Sequence, residues 1–163
     1  MASTSVSRLV RAPAAAVYAA LLDAGDIARW RVPDGMTSTV HHFEPWEGGV
    51  FRVSLTYEAA DAAGKSSDRT DTYAGRFTRL VPDALVVEVL AFESDDEAMR
   101  REMTMTTTLR PSAGGTEVTI EHAGLPEAVS VADNDAGTRM ALDHLASLVE
   151  GRMGDDGRGG AFR

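Results

Sequence analysis

Four histidines, His41, His42, His122 and His144, are the residues of this sequence best suited to acid–base chemistry. An imidazole beside a pocket can gain or lose a proton near neutral pH. His41 and His42 are adjacent in a predicted strand and point to opposite faces, so they make a poor pair of metal ligands. His122 ends the last predicted strand on its apolar face, where it could bind a ligand carbonyl or be a structural histidine. We therefore assign no catalytic residue and predict no metal site.

Sequence signatures of familiar enzymes are missing. The sequence has no GxSxG elbow, no HExxH pair and no Walker loop, and its one GxGG run lies at 157–160. Tyr57, Tyr73 and Trp30 could offer an OH or NH group to a ligand, although buried aromatic residues mostly serve packing. These absences favour a binding protein over an enzyme and predict no cofactor.

The composition narrows the class of protein further. The chain has 163 residues, 44% of them hydrophobic, and no cysteine, which suits one domain without disulfides or thiolate metal ligands. The net charge of −9 argues against nucleic acid as a partner. No segment resembles a signal peptide or a membrane span, so we expect a soluble cytoplasmic protein with no membrane partner.

The pattern of apolar residues predicts an α+β fold. Residues 5–11 alternate as a strand does, and two short helices follow, the first begun by Pro13 and ended by Gly25, the second capped by Asp26 and ended before Pro33. Period-two alternation then continues to His122 with turn signals between the strands, one of them over 62–67. The six predicted strands of this antiparallel meander span 37–44, 49–58, 69–81, 84–94, 99–110 and 116–123.

A long amphipathic helix is predicted to start after Leu125-Pro126 and to run to about Arg152, where it would cover the concave face of the sheet. We assign 1–152 to one domain and 153–163 to a flexible glycine-rich tail. An exposed edge of the sheet could support a homodimer.

Alternation also predicts which strand residues face the helix. In the fourth strand of the meander we choose Leu85, Val87, Val89 and Ala91, because the other register turns Glu88 inward. Several inward positions are small or adaptable, which is typical of a wall around a cavity or simply of a well-filled core. The predicted ligand-binding residues are Trp30, Phe51, Tyr73, Phe77, Met103, Met105, His122 and Leu142.

The order of motifs resembles a known superfamily. The segments 12–30 (APAAAVYAALLDAGDIARW), 44–52 (EPWEGGVFR), 73–77 (YAGRF) with Pro82, 114–122 (GGTEVTIEH) and 137–149 carry the resemblance. They are similar to motifs of the START-like (SRPBCC, polyketide cyclase) proteins, in particular the branch named after the activator of Hsp90 ATPase. The resemblance implies a helix-grip fold, with a seven-stranded antiparallel sheet wrapped around a long C-terminal helix and a hydrophobic pocket between them.

Two departures from that branch concern the pocket. Arg31 stands where many relatives have a second tryptophan, and Thr138 stands where they have a tryptophan after glycine. The leading hypothesis is the binding of an apolar or aromatic small molecule without catalysis. The alternatives are a cyclase-type enzyme that uses Tyr73 or His122 as acid or base, and a co-chaperone-like module related to Hsp90.

Overall fold

The fold follows the predicted order of elements. The computed structural model describes residues 2–58 and 70–161, with side chains described as far as Gly154. The predicted turn over 62–67 lies outside the described residues. The strands and helices are β1 Ala2–Val10, α1 Ala14–Leu21, α2 Ala24–Trp30, β2 Met36–Phe43, β3 Val50–Tyr57, β4 Thr70–Val81, β5 Leu85–Phe92, β6 Met103–Ser112, β7 Gly115–Leu125 and α3 Val131–Ala161.

The seven strands form one antiparallel sheet in the order β1-β7-β6-β5-β4-β3-β2. Strands β2 to β7 are a meander, and β1 pairs with the far edge of it along β7. The predicted fold class, an α+β helix-grip with two short helices after the first strand, is confirmed. Strand β2 is one edge of the sheet; a homodimer through an edge stays a prediction.

The junction between the two short helices differs from the prediction. Asp23 caps α2 by accepting a hydrogen bond from the Asp26 backbone N–H at 2.9 Å, and Gly25 lies inside α2 rather than after α1. The prediction of Asp26 as the cap was therefore wrong. The Asp26 carboxylate instead accepts two hydrogen bonds from Arg152 of α3, at 2.9 and 2.6 Å.

Helix α3 contacts β1, β7, α1 and α2. It begins at Val131 rather than directly after Pro126, because Ser130 caps it by accepting a hydrogen bond from the Asp133 N–H. Its backbone is helical beyond the predicted end at about 152, to Ala161. The division into a domain over 1–152 and a flexible tail over 153–163 stays a prediction.

The register chosen for β5 was wrong. The residues buried on the inner face of this strand are Val86, Glu88 and Leu90, whereas Val87 and Val89 are only half-buried. The choice assumed that a glutamate avoids the interior unless it is paired, which is generally true. Here Glu88 is paired, as described below. The inward faces predicted for β4, β6 and β7 agree with the observed burial, and so does that of β3 except at Tyr57, which is exposed.

Gly75 of β4 is required by the approach of β5. A Cβ atom at this position would overlap the backbone carbonyl oxygen of Val89, so any larger residue would push the two strands apart. The small size of Gly75 therefore serves strand pairing.

No helix of the described residues is long and apolar enough to cross a membrane.

Candidate functional site

A cavity of about 330 Å³ lies between the sheet and the beginning of α3. Strands β2 to β7, the end of α2 and helix α3 all contribute to its wall. The residues that line it are Trp30, Arg31, Pro33, Met36, Leu55, Tyr57, Asp71, Tyr73, Leu90, Phe92, Met103, Met105, Ile120, His122, Val129, Asp133, Asn134, Gly137, Thr138 and Ala141. Most of this surface is apolar, and Tyr57, Asp71 and Asp133 form its most exposed part.

The structure brings five of the eight predicted ligand-binding residues to this cavity: Trp30, Tyr73, Met103, Met105 and His122. Each lies on the inner face of a strand or at the end of α2, as alternation requires. Trp30 is held in place by its indole N–H, which donates to the Ala20 carbonyl oxygen at 3.0 Å.

The other three predicted residues, Phe51, Phe77 and Leu142, pack in the core beside the cavity and do not line it. The rings of Phe51 and Phe77 lie 5.1 Å apart between centroids, and Phe43 meets Phe77 edge-to-face at 5.7 Å. Leu142 belongs to α3 and is fully buried. Inward orientation alone could not separate residues that fill the core from residues that border a void.

The most unusual feature of the cavity is a buried ion pair. Arg31, the residue after α2, donates from Nη1 to Oε1 of Glu88 at 2.7 Å. The side chains of Arg31 and Glu88 are only 14% and 4% exposed. The Glu88 charge is what allows Arg31 to stay charged in this place, since an unpaired charge in the interior is costly.

Two further contacts fix the Arg31 side chain. Its Nη2 donates to the Met105 sulfur at 3.1 Å, and its guanidinium carbon lies 5.1 Å from the centroid of the Tyr73 ring, a cation–π distance. Burial lowers the pKa of Arg31, but the charge of Glu88, its hydrogen bond and Tyr73 together raise that pKa above its ordinary value.

Strand pairing places the polar residues next to one another. In the register of β5, β6 and β7, Glu88 is opposite Met105, and Met105 is opposite His122. These three side chains therefore form a row across the inner face of the sheet, with Arg31 over the first two.

Two polar atoms in the cavity wall are buried and have no hydrogen-bond partner among the described residues: the Tyr73 hydroxyl and Nδ1 of His122. Burial and, to a smaller degree, the charge of Arg31 lower the pKa of His122 to about 4. Burial raises the pKa of the Tyr73 hydroxyl, while Arg31 acts in the opposite direction. At neutral pH both residues are thus uncharged hydrogen-bonding groups.

Helix α3 leaves space for the cavity through small residues. Gly137, Thr138 and Ala141 line it, and Thr138 bonds to its own helix by donating to the Asn134 carbonyl oxygen at 2.8 Å. A Cβ atom on Gly137 would meet nothing within 4 Å. The departure from tryptophan at Thr138 therefore falls at the cavity.

The sequence interpretation missed Arg31, Asp71 and the α3 residues as cavity residues. The sequence did mark Arg31, as a departure from the family pattern. It also marked Glu88, as the residue that the other register of β5 turns inward. Treating these two observations together would have predicted the ion pair.

The other three histidines lie away from the cavity, with His41 bonded to Ser54, His42 to Glu44 and His144 to Asp34. Among the residues that the structure describes, no group of three or more histidines or acids could hold a metal ion.

Comparison with known proteins decides the family. Residues 11–150 match the family model of the activator of Hsp90 ATPase homologue 1-like proteins. The chain belongs to this family. As an activator of Hsp90 ATPase homologue 1-like protein, it is similar to a solved structure from Chromobacterium violaceum, with 28% identity over 91% of this chain and 96% of that one and a TM-score of 0.81.

Two more distant structures share the fold. A protein from Rhodobacter sphaeroides has 24% identity, covers 91% of this chain and 92% of its own, and gives a TM-score of 0.75. An AHSA1-like protein from Aeromonas hydrophila has 20% identity, 93% and 94% coverage, and a TM-score of 0.71. No curated protein sequence matches.

Proposed function

We propose that this member of the family binds a small, mainly apolar molecule in the cavity between the sheet and α3, without catalysing a reaction. The observation that carries the proposal is the cavity itself, whose volume of about 330 Å³ lies in the range of ligand pockets. A wall that combines many apolar side chains with a few polar groups is typical of such pockets.

The composition of the cavity wall supports the binding of a ligand with an apolar surface. Met103 and Met105 are adaptable side chains that can adjust to the shape of a ligand. Trp30 and Tyr73 offer aromatic faces, which favour flat or aromatic partners. Removing such surfaces from water is the main driving force of binding in a pocket of this kind.

Binding is favoured over acid–base catalysis by the pKa values of the two candidate groups. General acids and bases work best when their pKa lies near the operating pH. The pKa of His122 is lowered to about 4, and the pKa of Tyr73 is raised from a value that is already high. Neither group is therefore suited to exchange protons at neutral pH, which counts against the cyclase alternative.

A cavity-filling variant tests the proposal. Gly137 and Gly151 both lie in α3, and a side chain on either would meet open space, but only Gly137 lines the cavity. We expect Gly137→Trp to weaken the binding of naphthalene at least about 10-fold, since it fills the space for the ligand. Gly151→Trp is the matched control and should bind as the wild type does.

The measurement uses protein labelled with ¹³C at the methionine methyl groups. Of the seven methionines, Met36, Met103 and Met105 line the cavity, whereas Met99, Met140 and Met153 do not. Naphthalene should shift the signals of the first three and leave those of the other three in place. Equal shifts at all six, or unchanged binding by Gly137→Trp, would place the ligand elsewhere and contradict the proposal. Native mass spectrometry of protein purified from its own host would then identify the natural ligand.

A further inference from the structure

Three polar groups interrupt the apolar wall of the cavity, and they are close to the same place on the sheet. Arg31 lies over Tyr73, and its charge is close enough to His122 to lower the pKa of that residue. The Tyr73 hydroxyl and His122 Nδ1 have no partner among the described residues. Buried polar atoms without a partner cost stability, so they call for a partner that the chain itself does not supply.

The polar groups in this part of the cavity wall are mainly hydrogen-bond donors. Arg31 has five N–H groups, and the described residues accept from it only at Glu88 and Met105. The Tyr73 hydroxyl is a further donor. The complementary group of a ligand is therefore an acceptor such as an oxygen atom.

The charges around this place disfavour an anionic oxygen. The Arg31 charge is already matched by Glu88 at 2.7 Å, and Asp71 and Asp133 also line the cavity. Arg31 is the one basic residue, apart from uncharged His122, among the described residues that line it. A carboxylate at the remaining Arg31 N–H groups would place a second buried negative charge beside Glu88 with only one positive charge between them, which is unfavourable.

We infer that the cavity selects an uncharged ligand whose apolar body carries a hydrogen-bond acceptor, such as a ketone or ester carbonyl, placed against Arg31 and Tyr73. Glu88 is the specificity-determining residue, because it holds the Arg31 guanidinium as a donor and cancels the charge that would attract an acid. This inference rests on the proposed function and adds the chemical class of the ligand to it.

Three probes of one skeleton test the inference: naphthalene, 2-acetylnaphthalene and 2-naphthoate, titrated at pH 7 by calorimetry and by the methionine methyl signals. One hydrogen bond to a charged group is sufficient for about a 10-fold gain in affinity. We expect 2-acetylnaphthalene to bind about 10-fold more tightly than naphthalene, and 2-naphthoate to bind at least about 10-fold less tightly than 2-acetylnaphthalene.

Removal of a single donor provides the first variant. Tyr73→Phe keeps the ring that Arg31 lies over and should reduce the advantage of 2-acetylnaphthalene over naphthalene to about 3-fold or less. Tyr18→Phe is the matched control, since Tyr18 lies in α1 and outside the cavity wall. It should leave all three affinities as they are.

Reversal of the charge preference provides the second variant. Glu88→Gln leaves the Arg31 charge without its counterion, so the affinity for 2-naphthoate relative to naphthalene should rise at least about 10-fold. If Glu88→Gln does not fold, as circular dichroism would show, the wild-type and Tyr73→Phe titrations still decide the matter.

The outcomes separate the two proposals. If naphthalene binds but all three probes bind equally, or 2-naphthoate binds most tightly to the wild type, the inference about the ligand is overturned and the proposed function stands. If none of the probes binds, the proposed function is overturned and the inference with it.

Discussion

Two arginine–glutamate pairs, one on each face of the sheet, show how burial changes the role of the same two side chains. Arg31 and Glu88 meet on the inner face through one hydrogen bond of 2.7 Å. Arg52 and Glu93 meet on the outer face through two of 2.9 Å, the bidentate geometry that suits these groups best. The outer pair has the better geometry, but its side chains are 47% and 44% exposed.

The comparison shows that exposure to solvent, more than hydrogen-bond geometry, decides how strongly the partners of an ion pair depend on each other. Water screens the outer pair and can replace either partner. The inner partners have no such substitute, so each depends on the other. The hydrogen bond from Arg52 lowers the pKa of Glu93. Glu93 is an exposed residue after the end of β5.

The largest expected effect comes from breaking the inner pair. Glu88→Ala should lower the free energy of unfolding by about 3–5 kcal/mol, because it leaves the Arg31 charge buried without a counterion. Glu93→Ala, the matched control on the outer face, should shift the urea midpoint too little to distinguish from the wild type. Urea denaturation followed by circular dichroism measures both. A similar loss in the two variants would show that burial does not separate the pairs.

Removing both partners of the inner pair sharpens the same test. Arg31→Met with Glu88→Met should recover most of the stability that Glu88→Ala loses, because no unpaired charge remains and the apolar side chains fill similar space. A double variant as unstable as the single one would mean that the loss arises from packing rather than charge.

The next effect concerns His122, which lies beside the inner pair. Its pKa is lowered from an ordinary 6.5 to about 4, so the unfolded chain binds a proton between these values while the folded chain does not. Stability contributed by the neutral imidazole is therefore present above pH 6.5 and is lost as the pH falls towards 4. At about 1.4 kcal/mol for each pH unit, the loss reaches about 3 kcal/mol at most.

The His122→Gln variant isolates this contribution. Urea denaturation at several values between pH 7 and 4 should show a shallower loss of stability in His122→Gln than in the wild type, since glutamine does not titrate. Carboxyl groups titrate in both proteins and cancel in the comparison. Parallel curves for the two proteins would contradict a neutral His122 in the folded state.

The smallest expected effect is the response of the pairs to salt. Double-mutant cycles for Arg31 with Glu88 and for Arg52 with Glu93 give the coupling between partners. Between about 0.05 and 1 M NaCl the outer coupling should fall towards zero, whereas the inner coupling should change little, because screening acts mainly on exposed charges. An inner coupling that falls as steeply would mean that water reaches Arg31 and Glu88.

Much of the fold could be predicted because it depends on local patterns. Alternation located all seven strands, and short turns between them predicted the antiparallel meander. The inward faces of β3, β4, β6 and β7 followed from the same rule, and the residues that it turned inward included Tyr73, Met103, Met105 and His122 of the cavity.

The failures arise where contacts in space override what a local rule allows. Glu88 points inward because Arg31, 57 positions earlier in the chain, meets it there. Asp23 caps α2 in place of Asp26, and the Asp26 carboxylate binds Arg152 of α3. Phe51 and Phe77 fill the core rather than border the cavity, because Phe43 and each other's rings surround them.

The sequence by itself determined the order of strands and helices, the family and the apolar character of the inner face, since these depend on periodicity and on motifs that can be seen along the chain. The tertiary structure was needed to show which part of the interior is packed and which part forms a cavity. It was also needed to show that a charged pair lies in the cavity wall. The position of the cavity and the pairing of the buried charges depend on how α2, the sheet and α3 pack together, and no local sequence pattern records that packing.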